Sequence, residues 1–505
     1  MRSTLALRGL AVLVLIIGLL AWPVQPSPSL APPLLPAENR FSVGCDPLMA
    51  QPGDPIEPAP AFEPPLATGD PIDTLQLRID LASEVAQRPL LGAGFNLEHA
   101  LWSCPDFRSV FGSDLLGPFQ PAIVRVDTGL LPAAPPDFPE ELLGPEVYQT
   151  ILASPTYASS WDMLRQLESA GARIVLGVWG GPEAFTDDGT RRGVLRPERY
   201  DAYVTYVTAL VDFLVGQQKI PIWAITVANE PDGGDGNQLP PEGYAHVAHE
   251  LALRVAPYGV KIYGPDTSTA SAAMDYVPLL LDDAVVVDHL AFVAFHQYYA
   301  DPSVGELVDY VRGRHPELPL IVTEYTSFSY GDLDAGQETS SELDFTLEIA
   351  DTLLAHYRLG ADAALYWDAV DYLQPGHDAI TRWGLLRSPS EAFGRRTWYY
   401  ALLQVLPYLQ PGALVLDVHK QRGQDVGQLA ARTADNRVAV FLVNPRPDAL
   451  DVSIEFVADD ELPVALNVIR TDENNLAASL GPVELLGGSG QLRLPPRSLT
   501  TLLTS

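Results

Sequence analysis

Positive charge is scarce in this sequence of 505 residues. It holds 31 lysine and arginine residues against 64 aspartate and glutamate residues, which gives a net charge of -33. A chain this acidic repels phosphate backbones and anionic lipid surfaces. We therefore expect no nucleic-acid partner and no electrostatic attachment to a membrane. The hydrophobic content of 47% excludes a chain that is disordered throughout, and the length allows one large core and a second, smaller one.

Cysteine is nearly absent, and the histidines show no metal-binding pattern. The chain holds two cysteines, Cys45 and Cys104, and 9 histidines, none of them in an H-E-x-x-H motif or a clustered spacing. Two cysteines alone cannot form a zinc site, so we expect no metal and no organic cofactor. In an exported chain the two cysteines can form a disulfide, but two unrelated thiols fit the sequence equally well.

A glycine-rich phosphate-binding loop is also missing after the first predicted strand. Eight short apolar runs, each followed by a longer segment of helical periodicity, lie in the first part of the globular region. The runs are residues 90–97, 122–128, 173–180, 222–230, 261–268, 290–299, 319–326 and 362–369. Eight strand-helix units with strands buried on both faces predict an α/β fold, the (β/α)8 TIM barrel. A doubly wound open sheet is the alternative, and the missing loop disfavours it.

The chain divides into four predicted segments. Residues 1–22 carry a charged start and an apolar run, and predict a signal peptide or an N-terminal anchor, hence an extracellular or cell-surface protein. Residues 23–72 are dense in proline and predict an extended linker. We expect the barrel at residues 73–409. Alternating segments in residues 410–505 predict an antiparallel β-sandwich domain, which the strand before the barrel can also join.

Polar residues end nearly every predicted barrel strand. Reactive groups of a barrel lie at the C-terminal ends of its strands, so these positions define a candidate site. The residues that we select are Arg125, Trp179, Asn229, Glu230, His296, Tyr298, Glu324 and Trp367. Four further carboxylates end strands and compete for the same roles: Glu98, Asp127, Asp266 and Asp368.

Glu230 and Glu324 differ from the other carboxylates in their position. They end the fourth and seventh predicted strands, which face each other across a barrel mouth. Cleavage of a glycoside with retention needs two carboxyl groups about 5 to 5.5 Å apart, and this placement can supply that gap. If Glu324 faces the barrel interior, the alternation of side chains along a strand predicts that Leu320 and Val322 do as well, while Ile321 and Thr323 face the helices.

Two short motifs carry a family resemblance. "ANEP" at the end of the fourth strand and "TEY" at the end of the seventh resemble the acid/base and nucleophile motifs of the clan A retaining glycoside hydrolases. The resemblance extends from about residue 73 to residue 505. The segment "WYYALLQVLPYLQPGA" and the strand-rich tail are most similar to glycoside hydrolase family 30, in which a β-sandwich follows the barrel. Families 39 and 79 are similar alternatives, the latter through "FVAFHQYY".

The resemblance implies an enzyme that cleaves β-glycosidic bonds of a polysaccharide or glycoconjugate by double displacement. Glu230 would be the general acid/base and Glu324 the nucleophile. Asn229 would bond the 2-hydroxyl of the sugar. Burial and the charge of Glu324 should keep Glu230 protonated near neutral pH.

The resemblance also implies supporting roles for the other selected residues. Arg125 would lie beside the nucleophile and keep it ionised, and Tyr298 would donate a hydrogen bond to it. His296 would be a further site residue. Trp179 and Trp367 would offer aromatic faces to sugar rings.

A non-catalytic glycan-binding surface protein on the same scaffold is the alternative function. Such a protein would often have lost one of the two carboxylates, whereas Glu230 and Glu324 are both present. A carbohydrate partner is expected in either case, and membrane contact is expected only through the N-terminal segment.

Overall fold

The structure is a computed structural model. It describes residues 74–82, 88–98, 104–127, 145–153, 155–190, 192–233, 236–327, 331–332, 337–338, 341–372, 380–421, 426–458 and 462–504. The predicted signal peptide or anchor, the predicted linker and Cys45 lie outside these ranges. Cys104 is buried and disulfide-bonded. No helix in the described ranges is long and apolar enough to cross a membrane.

Eight parallel strands form a closed barrel. With strands numbered along the chain, they are β2 (Gly92–Leu97), β3 (Ile123–Asp127), β4 (Arg173–Gly177), β5 (Ala224–Thr226), β6 (Lys261–Thr267), β7 (Leu290–His296), β8 (Leu320–Tyr325) and β11 (Ala363–Tyr366). The last strand, β11, pairs with both β8 and β2 and closes the ring. The closure confirms the predicted barrel and excludes the open doubly wound sheet. A short hairpin, β9 (Gly331–Asp332) with β10 (Gln337–Glu338), follows β8.

Helices fill most of the connections between the barrel strands. The α-helices are Pro105–Val110, Gly117–Phe119, Pro145–Leu152, Pro155–Ser169, Tyr200–Val211, Pro241–Val255, Ala270–Leu281, Ala284–His289, Ser303–Arg314, Glu342–Arg358 and Thr397–Leu403. Shorter π- and 3-10 segments are Phe111–Leu116, Glu183–Phe185, Pro197–Arg199, Asp212–Gln217, Ala256–Tyr258, Pro389–Glu391 and Leu406–Tyr408. Outward-facing strand residues such as Ile225 pack with helix residues such as Leu251 in the largest hydrophobic core.

Inward-facing residues fill the barrel itself. They form a separate cluster that includes Ile123, Val175, Ala224, Tyr263, Phe292, Ala294, Ile321, Ala363 and Leu365. These side chains fill the interior, so the barrel is a packed core and not a pore. The polar strand ends therefore lie above an apolar interior, at the mouth.

Strand β8 interrupts the side-chain alternation just before the mouth. Phe295 of β7 pairs with Val322, whereas the next residue, His296, pairs with Glu324. Thr323 is therefore an extra residue on β8, and the pairing with β11 also shifts along this stretch. Such a bulge re-aims the side chains that follow it.

The bulge corrects the predicted orientation of β8. Ile321 lies in the interior cluster, while Leu320 and Val322 belong to the outer core. The prediction that Leu320 and Val322 face inward, and Ile321 and Thr323 outward, is therefore wrong. Regular alternation was assumed there, and the inserted residue turns both Thr323 and Glu324 toward the interior.

A nine-stranded, mostly antiparallel sheet follows the barrel. Its strands are β1 (Thr74–Asp80), β12 (Leu414–Gln421), β13 (Gly427–Arg432), β14 (Val438–Asn444), β15 (Leu450–Val457), β16 (Ala465–Asp472), β17 (Asn475–Glu484), β18 (Ser489–Leu494) and β19 (Ser498–Thr504). Their order in the sheet is β17-β16-β19-β14-β13-β12-β1-β15-β18. The sheet has its own core, which includes Leu75, Val440 and Ile454. A barrel with a C-terminal sheet domain confirms the predicted fold class.

Strand β1 joins this sheet although it precedes the barrel in the chain. It pairs antiparallel with β12 and parallel with β15, so it lies between two strands from the far end of the sequence. Its burial alternates along the strand, as expected for one covered face.

Candidate active site

Glu230 is held at the barrel mouth by the segment that follows β5. It adopts a positive φ of 41°, and its backbone N–H donates to the carbonyl oxygen of Asp266 at 2.9 Å. The N–H of Asn229 donates to the carbonyl oxygen of Val178 at 2.7 Å. A non-glycine residue in this conformation costs roughly 1–3 kcal/mol and persists where its surroundings hold it. The side chain of Glu230 remains 14% exposed, so a ligand can reach it.

Arg125 lies fully buried beneath the site. We call Arg125 and the residues that accept its hydrogen bonds the hub. The five N–H groups of Arg125 all donate. The acceptors are Glu324 Oε1 at 2.6 Å, Asn229 Oδ1 at 2.6 Å, Asp266 Oδ2 at 2.8 Å, Asn96 Oδ1 at 2.9 Å and Tyr263 Oη at 3.1 Å. Burial opposes the charge, but Asp266, Tyr263 and Glu324 raise the pKa of Arg125 well above its ordinary value. The guanidinium therefore stays charged and fixes five residues that lie on or just after four strands, β2, β5, β6 and β8.

Both carboxylate oxygens of Glu324 accept hydrogen bonds. Oε1 accepts from Arg125, and Oε2 accepts from the hydroxyl of Tyr298 at 2.5 Å. Burial raises the pKa of Glu324; His296 and Arg125 lower it, Glu230 raises it, and the net direction is upward. Burial and the nearby Glu324 also raise the pKa of Tyr298 well above its usual value, so that its hydroxyl keeps the proton it donates.

His296 lies fully buried between three carboxylates. Its Nδ1 is 2.8 Å from Glu230 Oε1 and 3.4 Å from Glu324 Oε2, and its Nε2 is 3.6 Å from Asp266 Oδ1. Burial lowers the pKa of His296, but the three carboxylates outweigh it and raise the pKa to about 10. Burial opposes the ionised form of Asp266, but Arg125 and His296 lower its pKa to about 2. At neutral pH His296 is therefore an imidazolium that bridges the two candidate catalytic carboxylates.

Trp179 packs directly against the hub. The guanidinium carbon of Arg125 lies 4.2 Å from the Trp179 ring centroid, and the ring of Trp367 stacks on Trp179 at a centroid distance of 5.7 Å. Gly177 makes this packing possible, because a Cβ there would lie 2.3 Å from Trp179 Cζ3 and 3.1 Å from Arg125 Cζ. Both tryptophans are largely buried, with 6% and 8% exposure. Trp179 thus supports Arg125 in addition to any contact with a ligand.

One set of side chains in the described ranges has the spacing of a metal site. Ligand atoms of Glu230, His296 and Glu324 all lie within 4.8 Å of one another. Metal binding requires a neutral imidazole nitrogen. The raised pKa of His296 and its contact with Glu230 oppose the loss of that proton. The group is therefore better suited to ion pairing than to holding a metal.

The competing carboxylates fall into two places. Asp266 belongs to the hub, where it accepts from Arg125 and from Thr323 Oγ1 at 2.6 Å. Glu98, Asp127 and Asp368 influence one another's ionisation on the wall formed by β11, β2 and β3.

The structure brings the selected residues into one constellation. Contacts link Arg125, Trp179, Asn229, Glu230, His296, Tyr298 and Glu324, and Trp367 joins through Trp179. Their catalytic and substrate-binding roles stay predictions.

Four residues that support this constellation were not selected from the sequence: Asn96, Gly177, Tyr263 and Thr323. Asn96 ends a strand and could have been found by its position. The other three show no signal in a single sequence, because their importance arises from a bulge and from close packing.

The comparisons with known proteins agree with this architecture. No family model matches the chain, and no curated protein sequence does. A family 30 endoxylanase from Clostridium papyrosolvens C71 superposes with a TM-score of 0.64 at 19% identity, covering 85% of this chain and 100% of the other.

Two further solved structures have the same fold. An endo-β1,6-glucanase has a TM-score of 0.61 at 16% identity, covering 85% of this chain and 94% of its own. A conserved exported protein from Bacteroides fragilis has a TM-score of 0.63 at 12% identity, with 85% and 100% covered. The chain therefore has the barrel-and-sheet fold of glycoside hydrolase family 30 and related clan A enzymes, as the sequence motifs indicated.

Proposed function

We propose that this protein is a retaining glycoside hydrolase that cleaves β-linked polysaccharides or glycoconjugates. The observation that carries the proposal is the spacing of Glu230 and Glu324, which offer carboxylate oxygens within 4.8 Å of each other. Retaining enzymes hold their two carboxyl groups about 5–5.5 Å apart, whereas inverting enzymes need about 6.5–9.5 Å to admit a water molecule. The short gap supports direct attack by one carboxylate.

In the first step Glu324 attacks the anomeric carbon, and the bond to the leaving oxygen breaks. Glu230 gives its proton to that oxygen. In the second step Glu230 takes a proton from water, whose oxygen attacks the anomeric carbon and releases Glu324. Two inversions give net retention of configuration.

The surrounding residues suit this reaction. Arg125 and Tyr298 each bond one oxygen of Glu324, so the attacking group is fixed in orientation before the substrate arrives. Asn229 accepts from Arg125 through Oδ1, which makes its Nδ2 group the end that donates to a sugar 2-hydroxyl. His296 carries a positive charge beside Glu324, which lowers the pKa of Glu324 and favours the ionised form that attacks.

The cellular location is part of the proposal. The N-terminal 22 residues support export of the protein, which is then either released or held at the cell surface. A carbohydrate is the proposed partner, and the acidic balance of the chain favours neutral or cationic glycans over polyanionic ones.

The test uses Glu230→Gln and Glu324→Gln on a panel of aryl β-glycosides, β-1,4-xylan and β-1,6-glucan. We expect wild type to cleave at least one substrate with retention of configuration, which NMR of the new anomeric centre measures. Each variant should lose turnover. Azide should restore activity to Glu324→Gly and yield a product of inverted configuration.

The matched control is Glu306→Gln, which removes one charge from an exposed position on the helix Ser303–Arg314. It should keep wild-type activity. Full activity in either catalytic variant would overturn the assignment. An inert wild type that still binds glycans would instead point to the carbohydrate-binding alternative.

A further inference from the structure

Asp266 is a fully buried carboxylate that the proposed reaction does not use. It lies on β6, its side chain is 0% exposed, and residues 236–327 around it are described without a gap. Burial disfavours its charge, but Arg125 and His296 lower the pKa of Asp266 to about 2, so the carboxylate is ionised at neutral pH. A buried charge is costly unless it is paired, and the partners of Asp266 indicate its role.

The side chain of Asp266 contacts residues from three other strands, β3, β7 and β8. Oδ2 accepts from Arg125 at 2.8 Å, and Oδ1 accepts from the hydroxyl of Thr323 at 2.6 Å. Oδ1 also lies 3.6 Å from Nε2 of His296, which suits attraction between charges but is too long for a hydrogen bond. Arg125 and His296 contact Glu324 in turn, and Thr323 precedes it in the chain.

The backbone of Asp266 holds the other candidate catalytic residue. Its carbonyl oxygen accepts from the N–H of Glu230 at 2.9 Å. Asp266 has a positive φ of 64°, and Glu230 has one of 41°. Non-glycine residues keep this left-handed conformation only where their surroundings hold it. Asp266 is therefore bonded to the segment of Glu230 through its backbone and to the partners of Glu324 through its side chain.

His296 is attracted by carboxylates on both sides of its ring. Glu230 and Glu324 lie on the Nδ1 side, at 2.8 Å and 3.4 Å, and Asp266 lies on the Nε2 side at 3.6 Å. Burial lowers the pKa of His296, whereas the charge of Glu324, and then Asp266 and Glu230, raise it. The candidate nucleophile therefore contributes strongly to keeping the imidazole protonated.

The other titratable groups that face Asp266 and His296 keep one charge state. Arg125 stays charged. Three tyrosine hydroxyls lie near these residues, those of Tyr244, Tyr263 and Tyr298. Burial, with further contributions from the neighbouring carboxylates, raises the pKa of each above its ordinary value, so all three keep their protons. Among these groups, Glu230 and Glu324 are the ones that change charge in the proposed reaction.

The proposed reaction moves a negative charge across the site. In the first step Glu324 forms a bond to the anomeric carbon and becomes a neutral ester. Glu230 gives its proton to the leaving oxygen and becomes a carboxylate. Arg125 and His296 are positively charged before and after this step. Asp266 is the negative partner that does not change, whereas His296 loses the attraction of Glu324 when the ester forms.

We propose that Asp266, granted the proposed glycosidase function, is a positioning residue whose constant negative charge keeps His296 protonated while the charge moves from Glu324 to Glu230. Asp266 lies on the opposite side of the His296 ring from both candidate catalytic carboxylates. Its attraction therefore does not depend on which of them is ionised. Its bonds to Arg125 and to the N–H of Glu230 hold both carboxylates in place.

The charge of His296 can be measured by nitrogen NMR of protein with labelled histidine, with its signals assigned by their loss in His296→Gln. This measurement needs neither substrate nor turnover. Glu324→Gln removes the charge of the nucleophile and so stands in for the neutral ester. We expect His296 to be doubly protonated at pH 7 in wild type and in Glu324→Gln. A neutral imidazole at pH 7 in Glu324→Gln would overturn the inference, because the charge of Asp266 would then not suffice.

Asp266→Asn removes the charge and nearly keeps the shape, and asparagine tolerates the left-handed backbone. We expect the titration midpoint of His296 to fall by about 1–3 pH units, as for the loss of a nearby opposite charge. Asp309→Asn, the same change at an exposed position on the helix Ser303–Arg314, should leave the midpoint unchanged. Thr323→Val removes a donor to Asp266 but not its charge, and should leave the midpoint close to that of wild type.

An equal midpoint in wild type and Asp266→Asn would overturn the inference. An equal fall in Thr323→Val would also overturn it, because disturbed packing rather than lost charge would then be the cause. Thermal unfolding checks that the variants are folded. If Asp266→Asn does not fold, the spectrum of Glu324→Gln decides alone.

Kinetics test whether this charge serves the reaction. On a substrate that wild type cleaves, Asp266→Asn should lower kcat by about 100-fold with little change in KM, because Asp266 is fully buried and acts through other residues. Asp309→Asn should keep wild-type kinetics. Wild-type kcat in Asp266→Asn would overturn the positioning role. If wild type cleaves no glycoside, the catalytic proposal fails, and the nitrogen spectra still decide whether Asp266 keeps His296 charged.

Discussion

Thr323 and Glu324 are consecutive in the chain, yet both side chains reach into the barrel mouth. Thr323 Oγ1 donates to Asp266 Oδ1 at 2.6 Å, and Glu324 Oε1 accepts from Arg125 at 2.6 Å. Because Asp266 also accepts from Arg125, the bulge ties both residues to the same guanidinium. The orientation of the candidate nucleophile thus depends on a backbone irregularity one residue earlier.

Replacing Thr323 by valine keeps the shape and removes the hydroxyl. Asp266 then loses a buried donor, which for a charged acceptor costs about 1.5–3 kcal/mol. We expect kcat/KM to fall by roughly 10- to 100-fold if part of that loss reaches the transition state. Thr323→Ser keeps the donor and should stay near wild type. Equal activity of the valine and serine variants would contradict a role for this bond.

Arg125→Lys keeps a positive charge but cannot supply five N–H groups in one plane. Asn96, Tyr263 or a carboxylate is then left without its donor, and breaking a buried pair costs about 3–5 kcal/mol. We expect a lower midpoint of unfolding in urea.

Arg125→Met removes the charge as well. Since Arg125 lowers the pKa of Glu324, the acid limb of kcat/KM should move to higher pH. An unchanged acid limb in the methionine variant would contradict this coupling.

The raised pKa of His296 predicts that the free energy of unfolding falls as the pH rises above neutral. Its pKa is raised to about 10 in the folded protein from an ordinary value of 6.5. The stability that it contributes is fully present below pH 6.5 and is lost as the pH rises toward 10. Denaturant unfolding between pH 6 and 10 should show this loss, and His296→Gln should flatten it. Nitrogen chemical shifts of a neutral imidazole at pH 8 would contradict the assignment.

Gly177→Ala adds a methyl group where none fits. The new Cβ would lie 2.3 Å from Trp179 and 3.1 Å from the Arg125 guanidinium, so one of them must move. Overpacking of this kind costs about 1–3 kcal/mol, and displacement of Arg125 should lower kcat more than it raises KM. Gly171→Ala is not a matched control because Gly171 has a positive φ, whereas Gly313→Ala meets no atom within 4 Å and should have wild-type kinetics.

Chelation should leave the proposed glycosidase activity unchanged. The only three-ligand group in the described residues includes the protonated His296, whose proton a metal would have to displace. Dialysis against EDTA is expected to change kcat/KM by less than about twofold. A loss of activity that zinc, calcium or magnesium restores would contradict the ion-pair interpretation of Glu230, His296 and Glu324.

Much of the fold could be predicted from the sequence because barrel strands buried on both faces leave continuous apolar runs. Glu230 and Arg125 could be selected for a similar reason, since polar residues that end such runs lie at the mouth. The orientation of β8 could not be predicted, because a bulge shifts the alternation of Leu320 to Glu324 without any glycine or proline to mark it. The five hydrogen bonds of Arg125 could not be predicted either, because their acceptors come from strands far apart in the chain.

The pairing of strand β1 implies an order in which the sheet assembles. Its two partners, β12 and β15, are made only after the whole barrel has been synthesised. Until then β1 has two open edges, and such edges invite pairing with other chains. A shortened gene that ends with the barrel would leave β1 unpaired, and one that begins at β2 would expose the facing edges of β12 and β15. Two strands that leave the ribosome after the barrel therefore protect both edges of the first strand of the described structure.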